Sequence, residues 1–180
     1  EILKVLPKDI DIACHNSADS TTITGPAVSI NNFANELEQQ GIFVRKVKSS
    51  GVALHSRYLD DFAKKFKSKL NVLLKCPKKR SEKWLSTCYP KFLWNDIESQ
   101  YSSPVYHVKN LTDTVLFQEV IEMLPNEVIT IEIGPSALLK SILKRSQKDA
   151  THVSLTQRDN DNVTHFLLNS LGNLFENGID

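Results

Sequence analysis

One stretch in the last third of the chain constrains the fold most strongly. Residues 128–133 form a mostly apolar run, and Gly134-Pro135 ends it. A short apolar run of this kind is typical of a buried parallel strand. Apolar residues then recur at helical spacing, at Leu138, Leu139, Ile142 and Leu143. The segment therefore predicts a strand followed by a helix over residues 136–145, which is the repeating unit of α/β layers.

The first fifty residues predict a compact α+β unit. Residues 10–14 and 21–24 are strand-like and flank a polar turn. Apolar residues at helical spacing follow, with a glycine in the position of a C-terminal cap: Ile30, Phe33, Ala34, Leu37 and then Gly41. Residues 42–47 predict a further strand.

Further elements are predicted across the rest of the chain. Apolar residues recur at helical spacing after His55, at Leu59, Phe62, Phe66 and Leu70. A second helical stripe lies near the end of the chain and is followed by a glycine in the position of a cap, Gly178: Val163, Phe166, Leu167, Leu171 and Leu174. The other predicted elements are strands at residues 71–74, 84–88 and 151–155 and helices at residues 113–123 and 159–177. Strands that alternate with helices favour an α/β layer.

Composition argues against several functional classes. The chain holds 22 basic and 21 acidic side chains, so its net charge does not favour nucleic acid. Cys14, Cys76 and Cys88 lack metal-binding spacing, and an odd number of thiols fits a reducing compartment. The sequence has no signal-peptide pattern and no apolar run near the roughly 20 residues that cross a bilayer. We expect a globular cytoplasmic protein that binds neither nucleic acid nor membrane.

His55 is the candidate catalytic residue. It follows the glycine hinge at Gly51 and stands one turn before Leu59, on the inward-facing side of the helical stripe. An imidazole takes and returns protons near neutral pH, which suits a general base. A lone histidine is more often a half-buried packing residue. The motifs around His55 decide between the two interpretations.

Six motifs carry a family resemblance. They are Ala13-Cys14-His15-Asn16-Ser17, Ile23-Thr24-Gly25-Pro26, Gly51-Val52-Ala53-Leu54-His55-Ser56, Trp84-Leu85-Ser86-Thr87, Val115-Leu116-Phe117-Gln118-Glu119 and Ile131-Glu132-Ile133-Gly134-Pro135-Ser136-Ala137-Leu138-Leu139. In this order and spacing, nearly the whole chain resembles the C-terminal portion of the malonyl/acetyl transferase domain of animal-type (type I) fatty acid synthase.

The resemblance implies a fold and a domain organisation. The implied fold is α/β, with part of an α/β-hydrolase-like acyltransferase core and an inserted ferredoxin-like α+β small subdomain. Residues 10–50 would form the small subdomain, and residues 51–180 the C-terminal part of the acyltransferase subdomain. Residues 1–9 would be an entering segment.

The resemblance also implies ping-pong acyl transfer through a serine. That serine would stand in a Gly-x-Ser-x-Gly elbow, and none of the six glycines has a partner at that spacing. We therefore expect the nucleophile upstream of Glu1, and we expect this chain alone to be inactive. By resemblance His55 is the general base, and a main-chain carbonyl assigned to Asn110 orients its ring.

Substrate contacts follow from the same resemblance. Val52 and Leu54 would line the acyl pocket, and acyl-CoA would contact Asp19, Ser20, Phe43 and Arg145. Small polar turn residues offer hydrogen bonds, an aromatic ring offers an apolar surface, and a guanidinium binds phosphate. Each CoA contact also has a structural interpretation, as a turn former, a core residue or a charge at a helix C-terminus.

The implied partners are acetyl-CoA, malonyl-CoA, the rest of the synthase chain and the phosphopantetheine-bearing acyl carrier protein. This region is expected to need no metal or cofactor, while NADPH serves other parts of a full synthase, which is expected to be a homodimer. A local basic cluster is most often a solvated surface, with carrier-protein docking as its functional alternative: Lys64, Lys65, Lys67, Lys69, Lys75, Lys78, Lys79 and Arg80.

Three alternatives to the main assignment stay open. The chain is also compatible with the acyltransferase of a polyketide synthase, with a stand-alone malonyl-CoA:carrier-protein transferase, or with a non-catalytic carrier-protein docking module. A nucleophilic pair of Cys14 and His15 is not expected, because adjacent residues on a strand face opposite sides.

Overall fold

The computed structural model describes residues 5–134, 138–158 and 160–179. The chain divides into two compact units, Glu1–Glu119 and Val120–Asp180. Each unit combines helices with a small β-sheet. Among the described residues, no helix is both long and apolar enough to cross a bilayer.

The sheet of the first unit begins with a hairpin. Strand β1 (Asp11–Ser17) pairs antiparallel with β2 (Ser20–Thr24), which confirms the two strands predicted in this region. Strand β3 (Val115–Leu116) lies on the other side of β1 and runs parallel to it, so the order is β2-β1-β3. The sheet therefore includes residues far beyond position 50. The assignment of residues 10–50 to a ferredoxin-like subdomain stays a prediction.

Helix α1 (Ala27–Gln39) confirms the first helical stripe. Phe33, Ala34 and Leu37 are buried, and Phe33 and Leu37 pack with Ile10 in one apolar cluster. Gly41 has a φ of +75°, in the left-handed region that glycine adopts without steric cost. The predicted glycine cap therefore ends this helix.

The rest of the first unit is mainly helical. A 3₁₀ turn (Arg57–Leu59) leads into α2 (Asp60–Leu73), which packs against α4 (Pro104–Thr112). In the chain, a second 3₁₀ turn (Lys91–Leu93) and helix α3 (Ile97–Gln100) come between α2 and α4. Cys88, Tyr89 and Tyr106 form a second buried cluster, against which two partly buried side chains pack, Leu93 and Trp94. This cluster holds the long loop before α4 in place.

The second unit contains the predicted strand–helix–strand arrangement. Helix α5 (Phe117–Ile121) precedes strand β4 (Ile129–Glu132) in the chain. Helix α6 (Lys140–Ser146) follows β4 and leads to strand β5 (Thr151–Ser154), which pairs with β4 in parallel. The predicted start of this helix at Ser136 lies outside the described residues. The last helix, α7 (Val163–Glu176), is tied to β5 by a 2.8 Å hydrogen bond from Ser170 Oγ to the Ser154 carbonyl.

Four predicted elements are wrong. Residues 42–47 are β-prone but pair with no strand in the described part of the chain and form no regular element. Residues 71–73 continue α2 because the helical stripe extends to Leu74. Residues 84–88 form no strand: Ser86 and Cys88 contact Tyr106, and the Thr87 carbonyl accepts a single 2.7 Å backbone hydrogen bond from Leu116 N–H. The predicted helix over residues 113–123 is interrupted, because Val115 and Leu116 pair with β1.

Candidate active site

The backbone at His55 is unusual. Its φ is +56°, in the left-handed region where a side chain costs roughly 1–2 kcal/mol. The next residue, Ser56, is buried and begins the 3₁₀ turn by accepting a 3.3 Å hydrogen bond from Tyr58 N–H. Ser56 Oγ also donates to the Ala53 carbonyl at 2.6 Å. These bonds fix the strained turn that presents His55 at the start of the helical segment.

The His55 ring is oriented by main chain from the end of α4. Its Nδ1 lies 3.2 Å from the Asp113 carbonyl oxygen, and its backbone N–H donates to the Leu111 carbonyl at 3.0 Å. A carbonyl oxygen only accepts hydrogen bonds, so Nδ1 carries the proton in this contact. In the neutral ring, Nε2 then has the free lone pair. The contact therefore leaves Nε2 as the ring atom that can accept a proton.

The orienting carbonyl belongs to Asp113 and not to Asn110, so that part of the prediction is corrected. Asn110 lies inside the last turn of α4, whereas Asp113 is the residue at which α4 ends, with extended backbone (φ −96°, ψ 165°). The extended conformation turns the Asp113 carbonyl out of the helix. The Asp113 carboxylate is held separately by Lys109 Nζ and by Thr112 Oγ1, the latter at 2.8 Å.

An ion pair anchors the segment after His55 to the sheet. Arg57 Nε lies 2.9 Å from Asp11 Oδ1, Arg57 Nη2 also contacts this carboxylate, and Arg57 N–H donates to Asp11 Oδ2 at 3.0 Å. The hydrogen bonds from Arg57 lower the pKa of the Asp11 carboxyl. Asp11 is only 16% exposed, so the carboxylate is well shielded. Sequence patterns give no sign of this contact, because the two residues stand 46 positions apart.

His55 borders two cavities of different character. One, of about 480 Å³, is mostly apolar and is lined by His55, Phe66, Leu70, Leu74, His107, Asn110 and Leu111. The other, of about 360 Å³, is polar and is lined by Asp11, Ile12, His55, Ser56, Arg57, Asp60, Thr112, Asp113 and Thr114. We name the first the apolar groove and the second the polar cavity. The His55 side chain therefore contributes to both an apolar and a polar surface.

The predicted acyl-pocket residues are close to His55 in the chain. Val52 and Leu54 are each 42% exposed, so both side chains are accessible. Phe66 and Leu70 of α2 line the apolar groove as half-buried side chains, although α2 itself buries no residue fully. The helical stripe is thus real, but Phe62 on it is 53% exposed.

The predicted CoA-binding residues belong to different elements of the chain. Asp19 and Ser20 stand at the tip of the β1–β2 hairpin, where Asp19 Oδ1 accepts a 2.6 Å hydrogen bond from Ser17 Oγ. Phe43 is 86% exposed, which excludes its interpretation as a core residue. Arg145 is exposed in the last turn of α6, in the second unit. Their roles in binding CoA stay predictions.

Cys14 and Cys88 are not arranged as nucleophiles. Burial raises the pKa of the Cys14 thiol, and it raises that of the Cys88 thiol to about 11. A nucleophilic cysteine needs a lowered pKa instead. His15 Nδ1 contacts Glu119 Oε1 at 2.7 Å, which agrees with the prediction that Cys14 and His15 form no catalytic pair. Over the described part of the chain, no cluster of three or more His, Cys, Asp or Glu side chains is placed to hold a metal.

Comparison with known families decides the assignment. The family model described as the acyl transferase domain matches residues 1–180. The chain belongs to this family. The histidine, its carbonyl partner and the mixed α/β fold are therefore parts of an acyl transferase domain.

The three relatives described here are at most 28% identical to this chain. A highly reducing polyketide synthase of Penicillium rubens is 28% identical over 94% of this chain and 7% of that protein. The solved acyl transferase domain of SpnD, in complex with 2-(pent-4-yn-1-yl)malonyl, has a TM-score of 0.77 at 21% identity, over 98% of this chain and 43% of that one. A malonyl-transacylase solved with a type II polyketide synthase acyl-carrier protein has a TM-score of 0.59 at 17% identity, over 91% of this chain and 50% of that one. The chain thus spans at most half of these proteins.

Proposed function

We propose that this acyl transferase chain takes part in moving an acyl group from CoA to the phosphopantetheine thiol of an acyl carrier protein. The observation that supports this most is the contact between His55 Nδ1 and the Asp113 carbonyl, 3.2 Å, because it leaves Nε2 free as a base. The attacking serine stands outside these 180 residues in this proposal, since the sequence holds no Gly-x-Ser-x-Gly elbow.

The proposed reaction has two matched halves. Nε2 takes the proton of the serine hydroxyl while its oxygen attacks the thioester carbonyl, and the carbon–sulfur bond then breaks. The departing CoA thiolate receives the proton from Nε2, which leaves an acyl-serine. In the second half, the carrier thiol gives its proton to Nε2 and attacks the acyl-serine. The serine oxygen leaves and recovers that proton, so His55 returns to its starting state.

We propose that the parent enzyme is a polyketide synthase. The motif resemblance points to an animal-type fatty acid synthase, but the named relative from Penicillium rubens supports the polyketide alternative better. A malonyl group is the favoured donor acyl group, since both solved neighbours carry malonyl in their names. Acetyl-CoA as a second donor, a homodimeric parent and a cytoplasmic location remain predictions.

Substrate contacts are proposed on top of this chemistry. Val52 and Leu54 flank the acyl group next to His55, where their exposed apolar side chains suit an alkyl or thioester surface. Asp19, Ser20, Phe43 and Arg145 contact CoA in this proposal. The exposure of Phe43 supports its part, since an aromatic ring in solvent offers a surface for stacking.

A non-catalytic docking module is the second candidate. The observation in its favour is the lack of a nucleophile elbow in the sequence. The two candidates differ in what His55 does. A docking module has no use for a base with a fixed tautomer, whereas acyl transfer depends on it.

The test is an acyl-loading assay on a complete acyl transferase domain that contains this chain, with radiolabelled malonyl-CoA and carrier protein. His55→Asn is the sharpest variant, because asparagine tolerates the left-handed backbone that alanine resists. We expect loading to fall by about 10²–10⁴-fold, the range for loss of a general base. His165→Asn, on the exposed face of α7, is the control. Equal loading by both variants would exclude the proposed base.

A further inference from the structure

The charge of the chain is strongly segregated. Residues 64–83 hold eight lysines and one arginine against a single glutamate, a net charge of +8. The rest of the chain holds 13 basic and 20 acidic residues, a net charge of −7. We name residues 64–83 the basic segment. A nearly neutral total charge therefore conceals a concentrated positive region.

The lysines of the basic segment are accessible. All eight side chains are exposed. Within the described part of the chain, the ion pairs involve only one of them, Lys64, which contacts Asp61 at 3.1 Å. Seven lysines are thus left without a carboxylate partner: Lys65, Lys67, Lys69, Lys75, Lys78, Lys79 and Lys83. Seven unneutralised charges in twenty residues repel one another, and an acidic partner would relieve that repulsion.

Arg80 has a different role from the lysines. Its guanidinium lies over the rings of Trp84 and Tyr106, at 5.6 and 5.2 Å from their centroids, and Nη1 donates to the Trp84 carbonyl at 2.7 Å. Arg80 N–H also donates to the Gln100 carbonyl at 2.7 Å. Arg80 therefore attaches the basic segment to the rings of Trp84 and Tyr106, and the lysines near it project from an ordered surface.

The basic segment borders the apolar groove, which His55 also lines. Phe66, Leu70 and Leu74 line that groove from within the segment, and lysines alternate with them along α2. The far end of the segment is attached to the groove as well. Ser102 N–H donates to the Lys78 carbonyl at 2.8 Å, and Ser102 Oγ lies 2.9 Å from Nε2 of His107, a groove residue.

We propose that the basic segment is the docking surface to which an acidic carrier protein binds when it presents its thiol to His55. This inference rests on the proposed function and adds to it the surface that recognises the partner. The segment covers part of a helix and the loop after it, which suits a macromolecular face rather than a single small anion. Lysines on flexible stems also match a diffuse acidic surface better than a fixed phosphate, for which arginine forks are favoured.

Electrostatic docking of this kind has a defined kinetic signature. Complementary charges raise the association rate and are screened by salt, while the chemistry at His55 does not depend on them. Removal of lysines should therefore raise KM for the carrier protein and leave kcat unchanged. Acylation by malonyl-CoA alone should be unaffected.

The experiment compares two quadruple variants in the complete acyl transferase domain. The docking variant is Lys67→Gln, Lys69→Gln, Lys78→Gln and Lys79→Gln. The control variant removes the same total charge from exposed lysines outside the basic segment, by Lys8→Gln, Lys46→Gln, Lys48→Gln and Lys91→Gln. Acyl-enzyme formation from malonyl-CoA is measured first, and transfer to a holo carrier protein is measured second, at about 50 and about 300 mM NaCl.

We expect the docking variant to raise KM for the carrier protein about tenfold at low salt, with acyl-enzyme formation within twofold of wild type. The control variant should stay within twofold on both readouts. Added salt should raise KM of the wild type but hardly change that of the docking variant.

Three results would overturn the proposal. The first is a KM for the carrier protein that is unchanged in both variants, and the second is a KM that rises equally in both. The third is a docking variant that raises only the KM for malonyl-CoA, which would make the surface a phosphate site. Absence of any acyl-enzyme in the wild type would instead refute the proposed function, so the two failures are distinguishable.

Discussion

Gly25→Ala tests how closely the end of β2 approaches the start of β1. An added Cβ would stand 2.8 Å from the Asp9 carbonyl oxygen and 3.3 Å from Ile10 Cα. Both are backbone atoms, which cannot rotate away as the end of a side chain would. Ile10 is also 2% exposed and packs in the apolar cluster with Phe33 and Leu37. Overpacking of this kind costs about 1–3 kcal/mol, and we expect the free energy of unfolding to fall by about 2 kcal/mol.

The assay is urea unfolding of the complete domain, with Gly172→Ala as the matched control. Gly172 lies inside α7, and beyond its chain neighbours and the backbone of its own helix no atom lies within 4 Å of an added Cβ, so alanine there should stabilise the protein by about 0.5–1 kcal/mol. Asp9 also accepts a 2.7 Å hydrogen bond from Tyr58 Oη, three residues after His55. Acyl loading should therefore fall in Gly25→Ala only. Equal stability changes for the two variants would refute the close approach of Gly25 to Asp9.

Two further predictions concern titratable groups. The hydrogen bonds from Arg57 lower the folded-state pKa of Asp11, so their contribution to stability is present above the unfolded-state value and is lost as pH falls through the folded-state pKa. Asp11→Asn should therefore lower the urea midpoint at pH 7, and the difference from wild type should narrow below about pH 4; a constant difference would contradict this account. Cys76 is exposed, whereas Cys88 is buried with a pKa of about 11, so iodoacetamide at pH 8 should label Cys76 first and Cys88 only on unfolding. Mass spectrometry of the labelled peptides checks the order, and early labelling of Cys88 would contradict the burial of its thiol.

Elements with local signals could be predicted from the sequence. Helix α1 combines a regular apolar stripe with a glycine in the left-handed region, and both features act within a few residues of chain. Strand β4 lies in a mostly apolar run, and a helix separates it from β5, which is a strong pattern for parallel pairing. The stripe of Leu59, Phe62, Phe66 and Leu70 is also a local signal, and it predicts the helical segment that the structure shows after His55.

Elements defined by distant partners could not be predicted. Strand β3 consists of two residues, and only its pairing with Cys14 and His15, about 100 positions earlier, makes it a strand. Residues 42–47 show the converse, since this β-prone segment pairs with no strand among the described residues. Tertiary pairing overrides local propensity in both cases.

The candidate site shows the same division. His55 could be identified from its motif, because the histidine and its helix are adjacent in sequence. The Asp113 carbonyl was missed by three positions, since its orientation depends on where α4 ends rather than on the identity of a side chain. The clamp between Asp11 and Arg57 joins two elements that only folding brings together.

The measurement that tests the central claim most directly is the protonation state of the His55 ring nitrogens. Long-range ¹H–¹⁵N correlation spectra of the histidine-labelled complete domain would assign the His55 ring nitrogens by comparison with His55→Asn. A protonated Nδ1 and a lone-pair Nε2 are expected, because the Asp113 carbonyl accepts the Nδ1 proton. A protonated Nε2 would contradict the account, since the ring could not then take the proton of an attacking hydroxyl.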